Sequence, residues 1–254
     1  MGHHFTRVSK IEHGVQRPTE RDIREWCRLC SAGDQSADLL ASLRSVESAY
    51  LEFRRQARAG MKRVLGAHTA DRYERTSLFR IYEHNVIPGL FQTADYAASM
   101  LRFWIDFLQT PNNIDDAVAV RLERQRVLYR KGKRFAVVLE EQALRTWFGD
   151  ATTQAGQLDR LLAAMSLPNV SVGVVPLMAQ RGGVPSAGFW IFDDSLVALE
   201  TPTASIEVTR PREIDLYARL FDRLQAMSVH GGAARELVLR VVRELTTAEP
   251  ETPD

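Results

Sequence analysis

From Ser77 to Val208 the hydrophobic pattern mixes helical and strand periods, which points to a mixed fold. SLFRIYEHNVI, stopping at Pro88–Gly89, reads as a strand; FAVVLEE is a short, nearly continuous apolar run; VSVGVV alternates. FWIF and LVALE are separated by Asp193–Asp194–Ser195, which suits a hairpin, and SIEV adds one more strand. Stretches of helical period lie between these segments. Thr93 starts a helix carrying Tyr96, Met100, Trp104 and Phe107. Residues 115–131 form another with a basic end, and Gln157, Leu158, Leu161, Leu162 and Met165 mark a third. Helices over about residues 211–227 and 231–245 close the chain. Strands and helices interleave without a strict strand–helix–strand repeat, so the expected class is α+β, not a doubly wound sheet.

The first third is helical throughout. Val8 and Ile11 give residues 4–12 one apolar edge, and Gly14 stands where a left-handed C-cap would end that helix. Pro18–Thr19 opens a second helix, with Thr19 and Asp22 at the spacing of a capping pair. Ile23, Trp26, Cys27 and Cys30 come next at i, i+3, i+4 and i+7, which assigns both cysteines to a buried stripe. A longer amphipathic helix then runs from Asp34 to about Ala59, with Leu39, Leu43, Val46, Tyr50 and Phe53 on its apolar face, and a further short helical piece precedes Thr76. The expected organisation is a DNA-binding part over 1–33, a connector helix over 34–63, an α+β domain over 64–248 and a frayed tail over 249–254.

Composition narrows the function classes. Hydrophobic residues make up 45% of the chain and charged ones 26%, enough apolar material for a real core. The net charge of +1 means that any nucleic-acid contact must come from a local basic patch. No apolar run approaches the roughly 18–20 residues of a membrane span, and the polar start MGHHFTRVSKIEHG has no signal-peptide core. A cytoplasmic protein without membrane contact is expected. Cys27 and Cys30 are the only cysteines, too few for a disulfide scaffold or a zinc site, and neither a metal nor a cofactor is expected.

GHHFTRVSKIEHGVQRPTERDIREWC resembles the second half of a lambda-repressor-like (XRE-type) helix-turn-helix. Thr6, Arg7, Val8, Ser9, Lys10, Ile11, Glu12 and Gly14 match the recognition-helix pattern of that family, and Pro18, Thr19 and Ile23 match its next loop and helix. The resemblance implies that Thr6, Arg7, Ser9 and Lys10 face a double-stranded DNA operator, with Arg17 holding a phosphate from the loop. It also implies a homodimer reading paired half-sites. The chain departs from the family in starting at the turn, without the preceding helices that would cover Val8 and Ile11. That departure leaves two expectations: Met1 is an internal methionine, or the helix-turn-helix is a remnant with impaired DNA binding.

YEHNVIPGLFQTADYAASML, RLERQRVL, VVLEEQALR, QLDRLL with NVSVGVVP after it, and LVALET are similar to the large uncharacterised domain that accompanies such a motif in actinobacterial regulators. That likeness implies sensing of a ligand, or of a small partner protein encoded nearby. The alternative is a partner-binding regulatory protein that does not touch DNA.

Catalytic motifs are weak, and no enzyme is expected. Phosphate-loop, GxSxG and HExxH patterns are missing, and the histidines are scattered. Glu140 and Glu141, adjacent on a strand, would point to opposite faces. Arg121, Arg124, Arg126, Arg130, Lys131, Lys133 and Arg134 read as a basic patch, most simply a solvated face. The order Arg80, Ser186, Glu200 is similar to that of ADP-ribosyltransferase folds, a further alternative that requires the three side chains to converge on one cleft.

Overall fold

The computed structural model describes residues 5–13, 15–37, 39–40, 43, 69–202 and 204–247. The chain divides into two compact units, residues 1–52 and 53–254.

In the first unit, α1 spans Phe5–Glu12 and α2 spans Glu20–Leu29. The Val15 amide donates to the Lys10 carbonyl at 2.8 Å, the 6→1 bond that closes a helix C-terminus. Gly14, expected as the C-cap, lies outside the described residues. Thr19 caps α2 as its spacing predicts. Its hydroxyl accepts from the Asp22 amide at 3.3 Å, and Asp22 Oδ2 accepts from the Thr19 amide at 2.7 Å. Ile23 and Cys27 are buried against Leu40, with Leu43 packed beside them. Cys30 is exposed, contrary to expectation, because α2 ends at Leu29 and Ser31 turns the chain with φ 55°. Leu40, not Leu39, takes the buried position of the next segment, which begins with a 3₁₀ turn at Gly33–Gln35 that shifts the phase of the stripe. The greater part of the expected connector helix and the frayed tail lie outside the described residues.

The second unit is an α+β domain built on one mixed sheet. A short helix, α3 (Thr69–Arg75), leads into β1 (Leu78–Glu83). Then come α4 (Ala94–Leu108), α5 (Ile114–Arg124), β2 (Arg134–Glu140), α6 (Glu141–Arg145), α7 (Ala151–Ala164) and β3 (Val170–Val175). The hairpin β4 (Phe189–Phe192) and β5 (Leu196–Thr201) is next, then β6 (Ala204–Val208), α8 (Pro211–Ala226), β7 (Val229–His230) and α9 (Gly231–Thr247). The strand order is β6-β5-β4-β1-β2-β3-β7. β1, β2 and β3 run parallel and the remaining pairings are antiparallel.

Periodicity alone does not announce the parallel centre, but its strands carry the signature of two-sided burial. In β2, every residue from Val137 to Glu140 is buried. One face of the sheet, with Phe79, Ile81, Val137 and Val172, packs on Tyr96, Leu158, Leu161, Leu237 and Val238 from α4, α7 and α9. The other face, with Tyr82, Val138, Ile191 and Val197, is covered by Ile214, Phe221 and Leu224 of α8. Each fully buried Phe or Leu contributes about 1.5–3 kcal/mol to this arrangement. β1 ends at Glu83, earlier than its apolar run suggests, and the helix expected over 115–131 stops at Arg124 and tightens into a 3₁₀ turn over Gln125–Tyr129.

Candidate functional site

Five residues of the first unit carry the expected DNA contacts. Thr6, Lys10 and Arg17 are exposed, and Ser9 is half-buried with its hydroxyl 3.5 Å from His13 Nδ1. Arg7 differs: its Nη2 donates to Asp22 Oδ2 at 2.8 Å, tying α1 to the first turn of α2. Burial alone would raise the Asp22 carboxyl, but hydrogen bonds from the Thr19 hydroxyl and amide and from Arg7 pull it well below the usual carboxylate range. A charged Asp22 therefore holds both the cap and the neighbouring helix. Val8 and Ile11 are half-buried and stand outside the Ile23–Cys27–Leu40 cluster.

In the second unit, Arg80, Ser186 and Glu200 do not converge. Arg80 pairs with Ile191 on the α8 side of the sheet, and its Nη2 donates to the Asp193 carbonyl and to Asp194 Oδ1, both at 2.5 Å. Glu200 comes two residues after Ala198 on β5, on the face that Ala198 shares with Trp190. Arg80 and Glu200 thus project from opposite faces. Glu140 and Glu141 are also separate, although both are buried. Glu140 closes β2 and accepts from Tyr82 and Arg181; Glu141 opens α6 and accepts from Arg145 and the Leu177 amide.

The basic run of residues 121–134 is not one patch. Arg126 pairs with Glu123 and Arg130 with Glu74, while the Lys133 ammonium holds the carbonyls of Tyr73, Glu74 and Thr76. Arg121 and Arg124, one turn apart on α5, reach Gln92 and the Tyr73 ring respectively. They join a polar cluster that no motif in the sequence marks. Glu83, at the C-terminal end of β1, accepts at Oε1 from the Trp190 indole at 2.8 Å. Its other oxygen lies over Gly188, where a Cβ would collide with it. Trp190 stacks on Tyr73 of α3 at 6.1 Å. Arg121 Nη1 donates to Gln92 Oε1 at 2.7 Å, and Gln92 is itself anchored through its amide to the Ile87 carbonyl at 2.7 Å. Arg124 lies over the Tyr73 ring at 6.0 Å. Glu200 stands exposed.

Buried glutamines fix the loop between β1 and α4. Gln125 Nε2 donates to the carbonyls of Gly89 and Gln92, and Gln157 bridges the Phe91 carbonyl and the Thr93 amide. Burial pushes the Glu83 carboxyl up to about 7, with the negative charge of Glu200 adding to the rise and the Trp190 hydrogen bond and Arg121 opposing it. Burial likewise lowers Arg121 to about 10 and lowers Arg124, and raises Tyr73 to about 12. A carboxyl that titrates near neutrality beside a guanidinium group can exchange a proton. No group of His, Cys, Asp and Glu placed to hold a metal occurs among the described residues.

A mixed sheet layered with helices on both faces defines the larger unit as a globular α+β module. Residues 68–240 match the family described as Domain of unknown function (DUF5753), and the chain belongs to that family. No curated protein matches the chain. Among the described residues no helix is long and apolar enough to cross a membrane.

Proposed function

We propose that this protein is a DNA-binding transcriptional regulator whose α1 helix reads an operator and whose DUF5753 domain senses a ligand or a small partner protein. The supporting observation is the Arg7–Asp22 link. It seats α1 against the capped start of α2, and Thr6 and Lys10 remain exposed on the same helix. A reading helix needs that combination of a fixed axis and exposed donors. Thr6, Ser9, Lys10 and Arg17 take the DNA contacts in this reading, and Arg7 adds positioning. Binding as a dimer to paired half-sites belongs to the same proposal.

Selection from random duplex DNA with the full chain tests it. The expected result is an enriched sequence whose binding weakens as salt rises, because displaced counterions drive phosphate contact. Lys10→Ala should lower affinity for that sequence without lowering the melting temperature. Failure to enrich any sequence at low salt would reject operator binding by this chain and leave partner binding by the larger unit as the reading to pursue.

A further inference from the structure

We propose that the cluster around Arg121, Arg124 and Tyr73 is a binding site for a small oxyanion, a carboxylate or a phosphate, gripped by Arg121 and Arg124. The inference deepens the sensing role proposed for the DUF5753 domain by naming the ligand chemistry.

Geometry carries it. Two guanidinium groups lie one helical turn apart, yet neither forms an ion pair with a carboxylate among the described residues. Arg121 spends one N–H on Gln92. Arg124 faces the Tyr73 ring, and its Nη2 is enclosed without a hydrogen-bond acceptor. Enclosing a cation without a partner is costly, and folds avoid it unless the missing partner comes from outside. Neither neighbouring acid makes an ion pair there: Glu83 is bonded to Trp190, and Glu200 favours both charged arginines only through space, from an exposed position.

Arg121, Arg124 and Glu83 each keep part of their surface exposed, although Arg124 Nη2 itself is enclosed. The parts of the cluster are held in advance: Gln92 fixes Arg121, Gly188 leaves room for the Glu83 carboxyl, and the Tyr73 and Trp190 rings are stacked. Paired guanidinium forks match the planar or tetrahedral oxygens of carboxylates and phosphates. The competing role for Arg124 is purely structural, a cation held by the Tyr73 ring. The two roles differ in sign: a structural arginine stabilises the free protein, whereas one awaiting a ligand destabilises it.

The test uses the full chain without DNA, so its outcome is independent of whether an operator is found. Melting temperature is monitored while benzoate, succinate or inorganic phosphate is titrated at constant ionic strength. A saturable rise is expected with at least one probe. Arg121→Gln and Arg124→Met should each weaken the half-saturation by about tenfold or more, and the exposed Arg102→Gln on α4 should leave it unchanged. Without any probe, Arg124→Met should melt at or above the wild-type temperature. A response to the carboxylates alone or to phosphate alone identifies the source of the oxyanion. No saturable response to any of the three, an undiminished response in both arginine variants, or an Arg124→Met protein that melts several degrees lower would each overturn the proposal.

Discussion

Arg7 and Asp22 meet at a single oxygen: Asp22 Oδ2 accepts from Arg7 Nη2 at 2.8 Å, from the Thr19 amide at 2.7 Å and from the Thr19 hydroxyl at 2.6 Å. One carboxylate therefore closes the capping box of α2 and fixes α1 beside it. Its neutralisation would remove both attachments together.

Asp22→Asn should destabilise the α1–α2 pair by about 1–2 kcal/mol, the range for losing a cap and a charge-assisted bond. In the wild type the folded carboxyl lies below its unfolded value, so its contribution is complete above the ordinary aspartate range and is lost as pH falls through the folded value. Hydrogen exchange of the amides of residues 20–29, measured into acid, reads both effects. Equal protection in Asp22→Asn and wild type would show that the carboxylate is not what joins the helices.

On the α8 side of the sheet, Glu140 is 7% exposed, with Arg181 Nη1 at 2.7 and 2.8 Å from its two oxygens and the Tyr82 hydroxyl donating at 3.0 Å. Arg181→Ala leaves that carboxylate covered with one donor fewer. The expected loss is about 2 kcal/mol, a fall of roughly 4–8 °C in melting temperature for a unit of this size. Adding Glu140→Gln to Arg181→Ala should recover part of it, since the uncompensated charge is then gone. A double variant no more stable than Arg181→Ala would mean that Arg181 acts through packing.

Much of this fold is legible in the order of residues, and what is not has identifiable causes. Thr19, Thr93 and the Asp193–Asp194–Ser195 turn announce their elements because capping and tight turns are local chemistry. Strand partners are not local: VSVGVV alternates identically whether its neighbour is parallel or antiparallel, so the β1–β2–β3 centre stays hidden. The stripe pattern misplaces Cys30 and Leu39 where helix phase breaks, at Ser31 and at the 3₁₀ turn. The polar cluster is hidden for a similar reason. Arg121 and Arg124 look no different in sequence from Arg126 and Arg130; only the packing of α5 on α4 and the Gly89–Phe91 turn sets the first two toward Gln92 and Tyr73. Glu83 sits inside an apolar run that reads as strand up to Ile87, and its exit from β1 beside Trp190 depends on the register with β4.

Gly188 gives that register a direct probe. A Cβ there would strike the Glu83 carboxyl and stand 3.2 Å from the Tyr82 carbonyl. Gly188→Ala should cost about 1–3 kcal/mol by overpacking. If the carboxyl is the main obstacle, Glu83→Ala should relieve most of that cost, giving a coupling well outside the error of a double-mutant cycle. Additive effects would assign the strain to the Tyr82 backbone instead.

Glu83 also sets a pH dependence with a sign opposite to that of Asp22. Its folded pKa is raised to about 7, chiefly by burial and then by Glu200, while the Trp190 bond and Arg121 on α5 oppose the rise. Between the unfolded glutamate value and about 7, the folded state binds the extra proton, so stability falls as pH rises through that window and levels off above it. Near pH 8 the charged, enclosed carboxyl costs the fold roughly 2 kcal/mol, since partial solvation offsets some of the burial. Glu83→Gln cannot ionise but can keep an acceptor toward the Trp190 indole. It should therefore melt above the wild type at pH 8 and approach it at pH 5. Parallel melting curves for the two proteins across that range would show that Glu83 stays charged throughout, held so by Arg121 more strongly than burial opposes it.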